Sequence, residues 1–104
     1  MYKQVLTYNF SDDDTRYSFQ NLIERLGFTP AEDQSTYVLD YSVGLSSQNV
    51  QDTIAWWAIS ADVSLVGDDF VQIFYATPMM IDGQSRPAIG CRTLRFNPRT
   101  NRLL

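Results

Sequence analysis

The hydrophobic pattern of this chain changes period near its start, and that change constrains the fold more than any other feature. From residue 2 to residue 10 the side chains alternate, with Val5 and Thr7 on one face and Gln4, Leu6, Tyr8 and Phe10 on the other. This is the two-residue repeat of a β-strand. Further on, Phe19, Leu22, Ile23 and Leu26 fall at i, i+3, i+4 and i+7, the stripe of a helix packed on a core. Ser11 stands between the two patterns and is expected to cap the helix. Gly27 closes it, since the residue past the last turn often takes positive φ, and Pro30 prevents the helix from resuming.

The same alternation of periods recurs downstream. Residues 36–41, "TYVLDY", are rich in β-branched and aromatic residues and predict a second strand ended or bent by Gly44. Ser46 is the expected cap of a second helix, with Leu45 and Val50 placed as a hydrophobic staple and a buried stripe of Val50, Ile54, Trp57 and Ala61. Trp56 lies about 100° round the helix from Trp57. Partial burial against a neighbouring strand is the simpler expectation for it, and a ligand platform the alternative. Residues 70–76, "FVQIFYA", are apolar on both faces except for Gln72 and predict a central strand. Asp82-Gly83 is a turn signal, and residues 89–96 predict a further strand. The last eight residues, 97–104, are expected to fray.

Strand, helix, strand, helix, strand and an added hairpin make an α+β sandwich. The expected arrangement is ferredoxin-like, with two helices on one face of an antiparallel sheet plus a C-terminal β-hairpin or arm. Residues 1–96 would form its single domain. The other sheet face must meet something, and Tyr8, Tyr37, Tyr41 and Phe74 are expected to cover it in a homodimer. With 104 residues, 44% hydrophobic and 19% charged, one globular domain is what the chain can build. Its fourteen aromatic residues exceed what so small a core easily absorbs, which also points to a surface that binds something.

Composition removes whole classes of chemistry. With no histidine and one cysteine, Cys91, the chain holds no Ser-His-Asp or Cys-His device and no zinc site of the His/Cys kind. Ser11 and Ser35 lack a base to activate them, and Cys91, within a predicted strand, reads as a small core residue. An enzyme built from the remaining residues would need a hard metal such as Mg²⁺ or Mn²⁺ on oxygen ligands. No signal peptide and no apolar run long enough to cross a bilayer are evident, so a cytoplasmic protein without a membrane partner is expected.

Charge is divided along the chain. Residues 1–82 carry all twelve acids against Lys3, Arg16 and Arg25, a net of −9, whereas residues 83–104 carry Arg86, Arg92, Arg95, Arg99 and Arg102 with no acid, a net of +5. Arg92, Arg95 and Arg99 are placed to follow phosphates, to pair with acids of a second chain, or to pair with this chain's own acidic body. The acidic body argues against duplex DNA as a partner.

Asp12, Asp13 and Asp14 crowd the first helical turn, where the helix dipole and unpaired amides favour negative charge. Three successive helical positions point three ways, so capping is the simpler reading than a metal site. A metal there would need Asp12 or Asp13 to act with the strand-end residue, which is Asn9, a neutral amide and a poor ligand for a hard cation. Asp68-Asp69 after Gly67 most simply polarises the turn entering a strand.

The runs "VLTYNFSDDDTRYSFQNLIERLGF", "DQSTYVLDY" and "DDFVQIFYA" together resemble the small CRISPR-associated endoribonuclease family, the "Cas two" proteins, and similar toxin-antitoxin proteins. Tyr8, Arg16, Gln34, Ser35, Asp69, Val71, Ile73 and Phe74 stand at matching places over residues 2–76. The resemblance implies a ferredoxin-like homodimer. The strand-end aspartate that would bind the family's catalytic metal is matched here by Asn9, which argues against hydrolysis. The expectation is therefore a non-catalytic dimeric binding protein needing no cofactor. It would act on a protein or RNA partner, with Arg92, Arg95, Arg99, Trp56 and Tyr8 as candidate contacts, in a toxin-antitoxin, defence or anti-defence setting. The alternatives are a metal-dependent endoribonuclease using Asp12 or Asp13, and an acidic immunity-type inhibitor of a basic toxin.

Overall fold

Alternation decides which side of the first strand is buried. In the computed structural model, which describes residues 4–32, 35–39, 46–61 and 63–103, β1 (Gln4–Asn9) buries Gln4, Leu6 and Tyr8 and leaves Val5 and Thr7 half-buried on its other side. The remaining elements are α1 (Asp13–Arg25), β2 (Thr29–Pro30), β3 (Thr36–Leu39), α2 (Ser47–Ser60), β4 (Phe70–Ile81), β5 (Gln84–Asn97) and β6 (Arg102–Leu103). The six strands form one sheet in the order β2-β3-β1-β4-β5-β6, and every described pairing is antiparallel. Two strand-helix-strand crossovers, β1-α1-β2 and β3-α2-β4, interleave in its first four positions, so the fold is a ferredoxin-like α+β sandwich extended by a hairpin.

Both helices lie on one face, because their buried residues join a single core with those of the sheet. Phe19 and Ile23 of α1 and Val50, Ile54, Trp57 and Ala58 of α2 pack with Leu6, Tyr8, Tyr37, Leu39, Val71, Ile73 and Leu94. At its centre is an aromatic cluster: the Tyr8 and Phe19 rings lie 5.0 Å apart, Phe10 and Phe19 5.0 Å, Phe19 and Trp57 5.2 Å, and Tyr8 and Tyr37 6.0 Å. Trp57 keeps its polar edge satisfied by donating from Nε1 to Ser18 Oγ at 3.0 Å.

This packing corrects the expected open face. Tyr8 and Tyr37 are core residues beneath the helices and do not face away from them, while Tyr41 lies outside the described residues, as do Gly44 and Leu45. Phe74 does stand on the face without helices, opposite Val5 on β1 and Cys91 on β5. Cys91 is exposed there, not a core residue. Ala61 caps α2 at its exposed end, and Ala58 takes the core position expected of it.

The helix ends follow the chemistry of unpaired backbone groups. Ser46 caps α2 by accepting from the Asn49 amide at 3.1 Å. The cap of α1 is Asp12, not Ser11: Asp12 Oδ2 accepts from the Thr15 amide at 2.9 Å. At the other end of α1, Gly27 has φ 103°, the Phe28 amide donates to the Ile23 carbonyl, and the Gly27 amide donates to that of Glu24. Those two bonds are a Schellman motif, and its hydrophobic contact is supplied by Ile23 and Phe28, both buried.

β4 and β5 run further than their periodicity suggests. β1 accompanies β4 only as far as Tyr75, and among the described residues Ala76–Ile81 pairs solely with residues 84–89. Six residues of strand extend about 20 Å, so the hairpin forms an arm. The radius of gyration is 14.5 Å with extents of 47 × 30 × 22 Å, where a compact chain of this length has about 13 Å. At the arm's root, a Cβ on Gly90 would come within 2.6 Å of the Tyr75 ring, which covers the glycine from its paired position. The segment expected to fray instead turns back: Arg102–Leu103 pairs with Phe96 and Asn97, and Leu103 is buried against the core.

Candidate functional site

β1 delivers Tyr8, Asn9 and Phe10 to the point where the chain turns into α1, and a cleft of about 460 Å³ opens there between them and Arg16, Tyr17, Gln20 and Ser35. Tyr8 presents only its hydroxyl side, accepting from Gln20 Nε2 at 2.6 Å, while its ring sits in the aromatic cluster. Asn9 donates from Nδ2 to the Asp68 carbonyl at 3.3 Å. That bond needs the amide, since an aspartate at this position would set two oxygen atoms against each other. Arg16 lies over the exposed Tyr17 ring, 5.5 Å from its centre.

Asp12 and Asp13, near this cleft, are each turned to a structural task. Asp12 caps α1, and its pKa is lowered below the usual carboxylate value chiefly by the Thr15 amide bond, with the Thr15 hydroxyl adding to it. Asp13 reaches back to Arg16 Nη2 at 2.7 Å, which helps hold the guanidinium protonated after its larger interaction with Tyr17. Asp14 is exposed. The aspartate run thus diverges as helical geometry requires.

Asp69 is the carboxylate that sequence reasoning undervalued. It is 1% exposed. Its Oδ1 accepts from the Ser11 amide at 3.1 Å and faces the Ser11 hydroxyl at 3.3 Å, and its Oδ2 accepts from the Val66 amide at 2.9 Å. One side chain therefore ties the β1-α1 loop to the entrance of β4, and it explains why Ser11 is not the cap. Thr15 makes a parallel tie: its Oγ1 accepts from the Ser64 amide at 3.0 Å and lies 3.0 Å from both Asp12 Oδ2 and the Ser64 carbonyl. No sequence signal marks the Asp69–Ser11 and Thr15–Ser64 bonds, because their partners are far apart in the chain. Among the described residues, no group of three His, Cys, Asp or Glu side chains is placed to hold a metal ion.

The candidate binding residues do not converge. Arg95 pairs across from Phe70 and lies 5.9 Å above that ring. Arg92 pairs with Ile73, so it projects from the opposite face of the sheet. Arg99 stands in the turn between β5 and β6, its amide donating to Asn97 Oδ1. The three arginines therefore do not form one phosphate-following row. Nor do the arginines of residues 83–104 pair with the acids of residues 1–82 among the described residues, where the sole ion pair is Arg16–Asp13. Trp56, expected to be partly covered, is 68% exposed. The sheet lies under Val50, Ile54, Trp57 and Ala58, and a residue a further 100° round projects away from it.

A second surface is apolar. On the sheet face without helices, Val5, Phe74, Tyr75, Ala76 and Ile89 line a shallow depression of about 140 Å³, and Ile89 is 82% exposed. Val38 adjoins them, paired with Val5. Along the arm, Met80 and Ile81 are also exposed. Among the described residues, no helix is long and apolar enough to cross a membrane. Compared with family models, curated proteins and solved structures, the chain matches none.

Proposed function

We propose that this chain is a non-catalytic binding protein that works as a homodimer on the scaffold of the CRISPR-associated family it resembles, engaging a protein partner in a toxin-antitoxin, defence or anti-defence setting. The observation that carries this reading is the open sheet face. Val38, Val5 and Phe74 form an apolar row across three strands with Ile89 beside it, and among the described residues no element of the same chain lies over them; such a patch marks a contact surface. The second copy is the favoured occupant because the charges are self-complementary: residues 83–104 are basic, residues 1–82 acidic, and among the described residues no ion pair joins the two segments within one subunit. Two copies related by a twofold axis would set each basic C-terminal segment against the acidic residues of the other.

Two features support a role without hydrolysis. Asp12, Asp13 and Asp69 are each engaged within the fold, and Asn9 uses its amide as a donor. The split of Arg92 and Arg95 between faces favours a protein over RNA as the partner. The test is a sizing experiment with light scattering at micromolar concentration, joined to incubation with labelled RNA in Mg²⁺ or Mn²⁺. A dimer that leaves RNA intact is the expected result. Metal-dependent cleavage lost in Asp12→Ala would overturn the reading.

A further inference from the structure

We infer that the outer edge of β5 takes an extended, acidic segment of the partner protein as an added strand. This rests on the reading of the chain as a binding protein and names the chemistry of what it binds.

The register fixes which backbone groups are free. Asp82 and Gly83 both have positive φ, 53° and 76°, and join Ile81 to Gln84 by a two-residue turn. Such a turn is type I′, and the residues flanking it exchange both of their backbone bonds. Even-numbered residues of β5 therefore face β4, as the Phe96 amide does in donating to the Asp69 carbonyl at 3.2 Å. Odd-numbered residues turn their N–H and C=O outward. Among the described residues β6 reaches only Phe96 and Asn97, so Ser85, Ile89, Cys91 and Thr93 direct a donor and an acceptor each away from the sheet. Pro87 occupies an outward position, where its missing N–H costs β4 nothing.

Among the described residues the other edges offer less. β2 is two residues long and contains Pro30, which blunts it as an edge commonly is, and on the outer side of Ala76–Ile81 the outward positions are Ala76, Pro78 and Met80, the middle one lacking an N–H. β5 is long and open.

Charge selects the occupant. Arg86, Arg92 and Arg95 line this edge, none is in an ion pair among the described residues, and residues 83–104 contain no acid. A second β5 laid antiparallel on the first would bring arginine towards arginine, which disfavours self-pairing here. An acidic strand meets complementary charge. Its side chains on the open face would lie beside Ile89 and Cys91 of β5, at the outer margin of the apolar surface whose inner part, Val38, Val5 and Phe74, is left to the second copy, so alternating apolar and acidic residues are the fitting pattern.

The probe is a fluorescently labelled peptide of about eight residues, the span of one strand, alternating valine and glutamate, with a valine-lysine peptide as its control. Fluorescence anisotropy on the full chain should show binding of the glutamate peptide that weakens with salt, and none of the lysine peptide. Hydrogen exchange should slow at the amides of Ile89, Cys91 and Thr93. Thr93→Pro removes an outward N–H and no backbone bond to β4, losing towards that strand only the hydroxyl that accepts from Gln72 Nε2 at 3.3 Å, so it should stay folded with a melting temperature close to that of Thr93→Val and weaken the peptide by about tenfold or more relative to that variant. Arg92→Glu with Arg95→Glu should weaken it without altering the fold. Absence of glutamate-peptide binding, or binding unaffected by folded Thr93→Pro, would overturn the inference. A single-stranded RNA that binds this edge in preference to the peptide would do so in favour of nucleic acid. A chain that binds the peptide yet sizes as a monomer would separate this inference from the proposed dimer.

Discussion

At the scale of single residues, two aspartates that look alike in sequence do unlike work. Asp12 holds the first turn of α1 through the Thr15 amide and hydroxyl, and the charged form is the better acceptor. Its folded pKa is therefore lowered from the ordinary 3.8. The sign follows: stabilisation is fully present above the unfolded value and fades as pH falls through the lower folded one. Asp12→Asn keeps a capping oxygen but not the titration. Thermal melts below pH 5 should show a shallower acid limb attributable to this position in the variant than in the parent chain. Tyr37 titrates at the other extreme. Burial raises its phenol above the ordinary 10.0, with Tyr8 and Glu24 adding to the effect, so its contribution is present below the unfolded value and is lost as pH rises through the folded one. Asp69 has a larger task. Asp69→Asn would turn an amide NH₂ towards either the Ser11 or the Val66 N–H, and an unmatched buried donor of this kind costs on the order of 2–3 kcal/mol. Urea denaturation should show a lower midpoint with an unchanged slope.

At the scale of elements, what the sequence made legible was local. Both helices, the Ser46 cap, the Gly27 stop and the Asp82-Gly83 turn depend on neighbours within a few residues, and each is where its pattern puts it. Alternation in β1 separates two faces but does not say which carries the helices. Val5, Thr7 and Val38 suit a strand's inner face as well as Tyr8 and Tyr37 do, so alternation alone does not place the tyrosines, and the surplus of aromatic residues points them to a dimer face. The Asp69 clamp joins residues 58 apart, and no period reports such a bond. β6 is two residues long, too short for any propensity to mark, and Leu103 is held by packing against α2 and the core. Leu103→Ala should consequently lower unfolding free energy by about 2–3 kcal/mol, measured by urea titration. A value near zero would mean that this return strand contributes nothing to the fold.

For the whole molecule, the distribution of charge and apolar surface matters more than any one group. The ferredoxin-like body seals one sheet face with helices and leaves the other bearing Phe74, Val5 and Ile89. The β4–β5 hairpin extends beyond the body as an arm, and residues 83–104 carry a charge opposite to that of residues 1–82. Salt should then act on association: screening weakens contacts between the basic and the acidic segment, so the proposed dimer should dissociate more readily at 1 M NaCl than at 0.1 M, as dilution followed by light scattering would record.

The most direct measurement is the solution mass of the parent chain beside that of Phe74→Glu with Ile89→Glu, by sedimentation equilibrium at micromolar concentration. Twice the mass of one chain for the parent and the mass of one folded chain for the variant is the predicted pair of results. A parent chain that sediments as a monomer, or a variant that stays dimeric with its fold intact, would contradict the account.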